Sequence, residues 1–508
     1  MAGVKAQHPG RPHSFLRVRK TCISIPAGVR VVTQGIVKRF IVICLLWSAG
    51  VLAADAPRLP DSVRAVLKQN SAPESGVSIV VQEVESDKSL LRFNADRSRN
   101  PASTIKLLTT WLALEELGPA FKWPTEAYLA GELKGGTLDG DLILKGYGDP
   151  YLITERLWAF QRQLKQRGLQ HVTGDLVIDS SYFADEYGDT GEFDGENLRS
   201  YNVVPNAFLV NFQAMHMVYE PDLANNRVKV LIDPLPINLN VENRLKLVNG
   251  ICGGYQNGIT VAATEAIKRD RIVLTGKFGR GCEQYEMTRS ALTAPSFAYG
   301  VFKALWEESV GTLVGGWRKG AAPVDTEPFF RIESPPLADV IEYVNKFSNN
   351  VMARHLLLTL GAVAHEAPAT RDKGRQAIQE SLQRRGLNFG ELYVDNGAGL
   401  SRKTRIKATD LAKVLILAAE SPWAPEYISS FSLSGLDGTM KKRFAEEELT
   451  GQMHLKTGRL RDVFATAGYV HARSGKNYAV VILQNFRGAD DGTGEVAQIA
   501  LLRWVYEQ

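Results

Sequence analysis

The chain has 508 residues, 44% hydrophobic and 23% charged, with a formal net charge of +5. This is ordinary globular composition, enough for two or three domains, and it excludes a disordered or collagen-like chain. Residues 1–54 hold Lys5, Arg11, Arg17, Arg19, Lys20, Arg30, Lys38 and Arg39 and no acid, so without those eight positives the rest carries about −3 and gives no argument for nucleic-acid binding.

Lys38-Arg39 leads into the apolar run Phe40 to Trp47, and small residues follow from Ser48 to Ala54. That order predicts a secretory signal peptide cut near Ala53 or Ala54, with an uncleaved membrane anchor as the alternative. The run is short for a transmembrane helix. Cys22 and Cys44 belong to this leader. Cys252 and Cys282 flank a segment rich in Gly and β-branched residues, which in an exported chain reads as one disulfide, or else as two buried thiols. The histidines are scattered without a zinc spacing, and no metal is expected.

Beyond the leader, a short helix over Pro60 to Gln69 precedes two alternating segments, Gly76 to Val84 and Ser89 to Asn94, which predict a strand hairpin. Pro101 then opens a helix whose apolar face is Ile105, Leu107, Leu108, Trp111, Leu112 and Leu114, and Gly118-Pro119 ends it. From Pro124 short strand-like runs alternate with Gly and Asp turns, interrupted by a helix near Ile153 to Gly168. Helical pattern returns at Ser296 to Val310 and again from Leu337 to Gly361, where Phe347-Ser348-Asn349-Asn350-Val351 breaks it. A Gly-rich turn (Asp395 to Arg402), a helix (Ala408 to Ala419), three strands and a final helix (Glu495 to Tyr506) complete the chain. The reading is an α/β fold, an antiparallel sheet built from both ends of the chain and flanked by helices. Residues 55–125 and 326–508 form its two parts, and 126–325 form a β-rich insertion.

Ser103 and Lys106 stand three apart at a helix start, so they share a side. A serine becomes a nucleophile when a base adjoins it, and a lysine serves if burial or a nearby cation keeps it neutral. Ser348-x-Asn350 and Lys456-Thr457-Gly458 follow, 245 and 353 residues after Ser103. Each element alone is a common helix cap or strand edge. In this order and in these contexts the three match the serine set of penicillin-recognising acyl transferases.

The whole chain after the leader resembles the class C low-molecular-mass penicillin-binding proteins, the exported serine D-alanyl-D-alanine carboxypeptidase/endopeptidase family. Similar segments include Gly146 to Leu152, Gly174 to Asp179, Tyr201-Asn202 with Pro205, Asp395 to Arg402 and Gly435 to Met440. The resemblance implies the penicillin-binding, serine β-lactamase-like transpeptidase fold with domains inserted between Ser103 and Ser348. It implies hydrolysis of peptidoglycan stem peptides and cross-links in the periplasm, no cofactor, and β-lactams as inhibitors. Ser103 would be acylated, with Lys106 as base and Lys456 keeping it neutral. Ser348 would relay a proton, Asn350 would hold substrate backbone, and Thr457 with Lys456 would meet a carboxylate. Backbone N–H groups of Ser103 and Arg459 would form the oxyanion hole. A β-lactamase-like hydrolase and a non-catalytic peptidoglycan-binding protein are the competing readings. Peripheral membrane association and a homodimer are both compatible with the sequence.

Two features depart from the family pattern. Arg459, with Arg461 beyond it, stands where a small residue is usual after Lys-Thr-Gly, and the turn Asp395-Asn396-Gly397-Ala398-Gly399 is longer than Asp-Gly-Ser-Gly. Arg459, Arg461 and Arg402 are therefore expected to meet a carboxylate of a meso-diaminopimelate-type side chain. Its ammonium is expected at the acidic segment that ends in Glu196, near Tyr201.

Overall fold

The computed structural model describes residues 58–508 except 186, 187, 189, 251, 265–268 and 310. The expected leader, with its cleavage site, lies outside the described residues. A six-stranded sheet runs in the order Ser432–Leu433, Met453–Leu460, Val463–His471, Asn477–Asn485, Val77–Glu83, Ser89–Phe93, with every neighbouring pair antiparallel. The first hairpin thus joins the last three strands, as expected of a sheet built from both ends of the chain.

Residues two apart in a strand share a face, and here both faces are covered. Ile79, Val81, Val480 and Ile482 pack with Val63 and Leu67 of the helix Asp61–Gln69 and with Leu501, Leu502 and Val505 of the helix Gly494–Tyr506. Val80, Ala465, Ala467, Val481 and Leu483 face the helices Lys106–Leu117, Leu337–Lys346, Asn350–His365 and Ala408–Glu420. Burial on both sides explains why Val463–His471 and Asn477–Asn485 are apolar almost throughout.

Between these two parts, Pro124–Lys134 pairs with Thr137–Gly146 and also with Phe330–Glu333, so one sheet spans the insertion from its first strand to its last. Its core is separate, with the helices Thr154–Gln166 and Ala294–Glu308 packed on the sheet through Leu157, Phe160, Phe302 and Trp306. Two smaller sheets follow, one of Met215–Asp222, Arg227–Asp233 and Tyr285–Arg289, the other centred on Arg271–Gly279. Cys252 and Cys282 are disulfide-bonded beside the latter, with Cα atoms 5.4 Å apart.

The helix Arg371–Arg384 has no counterpart among the elements expected from the sequence, nor has the short helix Ala424–Ser429; the longer one shows why. Its charged residues mask a narrow stripe of Gly374, Ala377, Ile378, Ser381 and Leu382 at helical spacing. The stripe is small because the helices cross closely, a Cβ on Gly361 falling 2.6 Å from the Gly374 nitrogen.

Candidate active site

The turn that carries Ser103 is fixed from three directions. Asn100 accepts the Ala102 N–H at 2.9 Å and donates to the Ser401 carbonyl at 2.8 Å, and Asn485 on the sheet both accepts from the Asn100 N–H and donates to its carbonyl. Ala102 is held at φ 45°, a conformation that costs a non-glycine residue energy. The helix begins as a 3₁₀ turn over Ala102–Ile105 and continues as α from Lys106, so Ser103 sits at its mouth.

Lys106 is completely buried, and its Nζ has three partners: Ser103 Oγ at 3.0 Å, Asn350 Oδ1 at 2.7 Å and the Ala398 carbonyl at 2.5 Å. Burial holds this amine well below the ordinary lysine range, and the charges of Lys456 and Arg354 lower it further. The start of the helix Asn350–His365 adds its partial positive charge. A neutral amine has two N–H donors and one lone pair. Both donors are taken by the Asn350 and Ala398 oxygens, which leaves the lone pair facing the Ser103 hydroxyl.

The three-residue loop before that helix divides its labour. Ser348 lies at φ 57° in the left-handed region, and Asn349 caps the helix by accepting the Met352 N–H at 3.1 Å. Asn350, the first helical residue, reaches Lys106. Lys456, also completely buried, donates to Ser348 Oγ at 2.9 Å and to the Thr457 carbonyl at 2.7 Å, and burial pushes its amine down to about 7. Thr457 donates to Thr439 Oγ1 at 2.8 Å, which brings the Gly438–Met440 turn to the site. Gly458 is required by proximity. A Cβ there would stand 2.8 Å from both the Pro101 carbonyl and the Ser103 nitrogen.

The long Gly-rich turn explains its own length. Asn396 accepts from the Ala398 and Gly399 N–H groups and donates to Leu400, and the knot so formed presents the Ala398 carbonyl to Lys106. Gly399, at φ 78°, packs on the Ala102 carbonyl, where a Cβ would fall at 2.0 Å.

The structure brings Ser103, Lys106, Ser348, Asn350, Lys456, Thr457 and Gly458 into one cluster. Arg402 donates to the Arg461 carbonyl at 2.8 Å with its guanidinium over the Phe193 ring, beside a cavity of about 270 Å³ also lined by Asn202, Arg354 and Asp395. Arg459 points instead toward the Asp490 carbonyl. On the insertion, Tyr201 and Asn202 both donate to Asp194, while Glu196 is exposed and paired with Arg199 at 3.3 Å. Arg354 has no place in the sequence reading, and Thr439 enters it only within the segment Gly435 to Met440, without a role. Arg354 was findable, because it lies one helical turn after Asn350 and so shares its face.

Two curated relatives extend over most of the chain. D-alanyl-D-alanine carboxypeptidase DacB of Haemophilus influenzae is 22% identical over 442 residues, covering 86% of this chain and 91% of that protein. The D-alanyl-D-alanine carboxypeptidase of Actinomadura sp. (strain R39) is 26% identical over 442 residues, covering 82% and 79%. The crystal structure of penicillin binding protein 4 (dacB) from Haemophilus influenzae has the same fold, with a TM-score of 0.73 at 21% identity over 88% of this chain and 99% of that one. The sequence profile of the D-Ala-D-Ala carboxypeptidase 3 (S13) family matches residues 59–506, nearly all of the described residues, and the chain belongs to that family.

Proposed function

We propose that this serine peptidase cleaves D-alanyl-D-X bonds of peptidoglycan stem peptides and cross-links through an acyl-enzyme on Ser103, and that penicillin traps it by the same acylation. The observation that carries the reading is the coordination of Lys106, whose Nζ stands 3.0 Å from Ser103 Oγ with its other two contacts on the Asn350 and Ala398 oxygens, so that in the neutral amine the lone pair turns to Ser103. The Ser103 hydroxyl gives its proton to Lys106 as Oγ bonds to the carbonyl carbon. The C–N bond then breaks, and the departing amine takes the proton that Lys106 gives up, relayed by way of Ser348 and Lys456. Water attacks the ester next and frees Ser103, so one difficult step becomes two. The N–H groups of Ser103 and Arg459 are suited to the oxyanion, at about 3 kcal/mol per donor. Lys456 and Thr457 suit the substrate's terminal carboxylate.

The cavity beside Arg402 suits the side chain on the acyl side of the bond, its carboxylate toward Arg402 and its ammonium toward Asp194 and Tyr201. Arg459, drawn toward Asp490, is the weaker candidate for that contact. Among the described residues no helix is long and apolar enough to cross a membrane, and the acid-free basic leader supports export to the periplasm. The test is D-alanine release from a pentapeptide monomer. Wild type should release it and Lys106→Met should lose on the order of 10²–10⁴-fold in rate, whereas no release by wild type contradicts the reading. Parallel incubation with cross-linked dimers measures the endopeptidase share.

A further inference from the structure

Four aromatic rings run from the insertion to the Ser348 loop. Phe212 lies against Tyr151 with centroids 6.5 Å apart, Tyr151 tilts onto Tyr343 at 4.6 Å, and Tyr343 stacks with Phe347 at 6.0 Å. Phe347 is 62% exposed and Tyr343 36% exposed, which is unusual for large apolar rings that touch one another. The far end of the row is held in an uncommon conformation. Asn211, Phe212 and Gln213 all have φ near +50°, a left-handed turn fixed by Gln213 Nε2 donating to the Ala291 and Leu292 carbonyls. Three consecutive non-glycine residues in that region are costly, and this turn presents the Phe212 ring to Tyr151.

We propose that Phe347, Tyr343, Tyr151 and Phe212 form a shelf for the departing strand of a cross-linked substrate. The inference rests on the acyl-transfer reading above, because Phe347 immediately precedes Ser348, the group assigned to protonate the leaving amine. A monomer leaves as a single D-alanine, whose one methyl and carboxylate are served by Thr457 and Lys456. A cross-link leaves as a diamino acid, its amine at the end of a methylene chain that continues into a second peptide. Methylenes and alanine methyls suit ring faces. The four rings carry no charge, and the cation closest in sequence, Lys346, is occupied by Asp437 at 2.7 Å and Glu342 at 3.1 Å, so the shelf offers apolar contact rather than a second carboxylate site.

The experiment compares wild type, Tyr343→Ser and Tyr343→Phe on three substrates: a pentapeptide monomer, a D-Ala-linked peptide dimer without sugars, and the same dimer carrying its disaccharides. Tyr343 lies one helical turn before Phe347, so its loss leaves the Ser348 backbone in place. The expected result for Tyr343→Ser is about a fivefold fall in kcat/KM on both dimers, unchanged turnover of the monomer, and recovery in Tyr343→Phe, the size expected for losing one aromatic contact. An equal fall on monomer and dimers shows a merely structural role and overturns the proposal. A fall on the sugar-bearing dimer alone assigns the shelf to glycan and overturns it too. Unchanged rates throughout, or a wild type that cleaves the monomer but neither dimer, also overturn it while leaving the acyl-transfer reading intact. A wild type inactive on every substrate contradicts the acyl-transfer reading itself.

Discussion

Lys106 and Lys456 are two completely buried amines in one cluster, and the charge of the second depresses the first. Lys106 works as a base only when neutral, so penicillin acylation should fall on the acid side as Lys106 takes a proton. In Lys456→Met that repulsion disappears and the Lys106 amine becomes harder to deprotonate. The acid limb of acylation rate against pH should therefore move to higher pH, whatever happens to its height; a limb that stays put contradicts the electrostatic role of Lys456. Stability carries a second signature. Lys456 titrates at about 7 in the folded chain against the ordinary 10.5, so between those values the unfolded chain holds a proton that the folded chain does not. The penalty is complete below pH 7 and is relieved as pH rises. Wild type should thus gain on Lys456→Met through that window by up to about 1.4 kcal/mol per pH unit in denaturant unfolding. That Ser103, Lys106, Ser348, Asn350 and Lys456 come together was legible because the proposed chemistry fixes both residue type and spacing. The Ala398 carbonyl was not, since a backbone acceptor leaves no signature.

At the scale of elements, the strand Met453–Leu460 crosses the Ser103 turn at Gly458 with no room for a side chain. Gly458→Ala should displace the nucleophile and slow penicillin acylation by on the order of 10²-fold while the melting transition persists; near-normal labelling would show that the turn can yield. The cap is a milder case. Asn349→Ala removes the side-chain acceptor of Met352 and should cost about 1 kcal/mol in unfolding experiments, without abolishing labelling. Legibility here followed two different signals. The hairpin at the N-terminal end could be read from its alternation, and the three strands at the C-terminal end as short apolar runs bounded by turns. Met215–Asp222 and Phe330–Glu333 escaped, one with Pro221 within it and the other between Pro328 and Pro335. The helix Arg371–Arg384 escaped because close crossing demands glycine and alanine where a larger apolar stripe would announce a helix.

For the molecule as a whole, the sheet is closed by strands from opposite ends of the chain, and the insertion has a hydrophobic core of its own. The disulfide closes a separation of 30 residues inside that insertion. Replacing Cys252 and Cys282 by Ser should cost about 3 to 4 kcal/mol in the chain-entropy account, read as earlier proteolysis of the insertion, while Ser103 still reacts. The central claim is that Ser103 is the acylated nucleophile, and labelling with a fluorescent penicillin tests it most directly. Wild type should carry one adduct, mapped by mass spectrometry to the peptide containing Ser103, and Ser103→Ala should carry none. An unlabelled wild type, or an adduct that survives Ser103→Ala in a folded protein, contradicts the account.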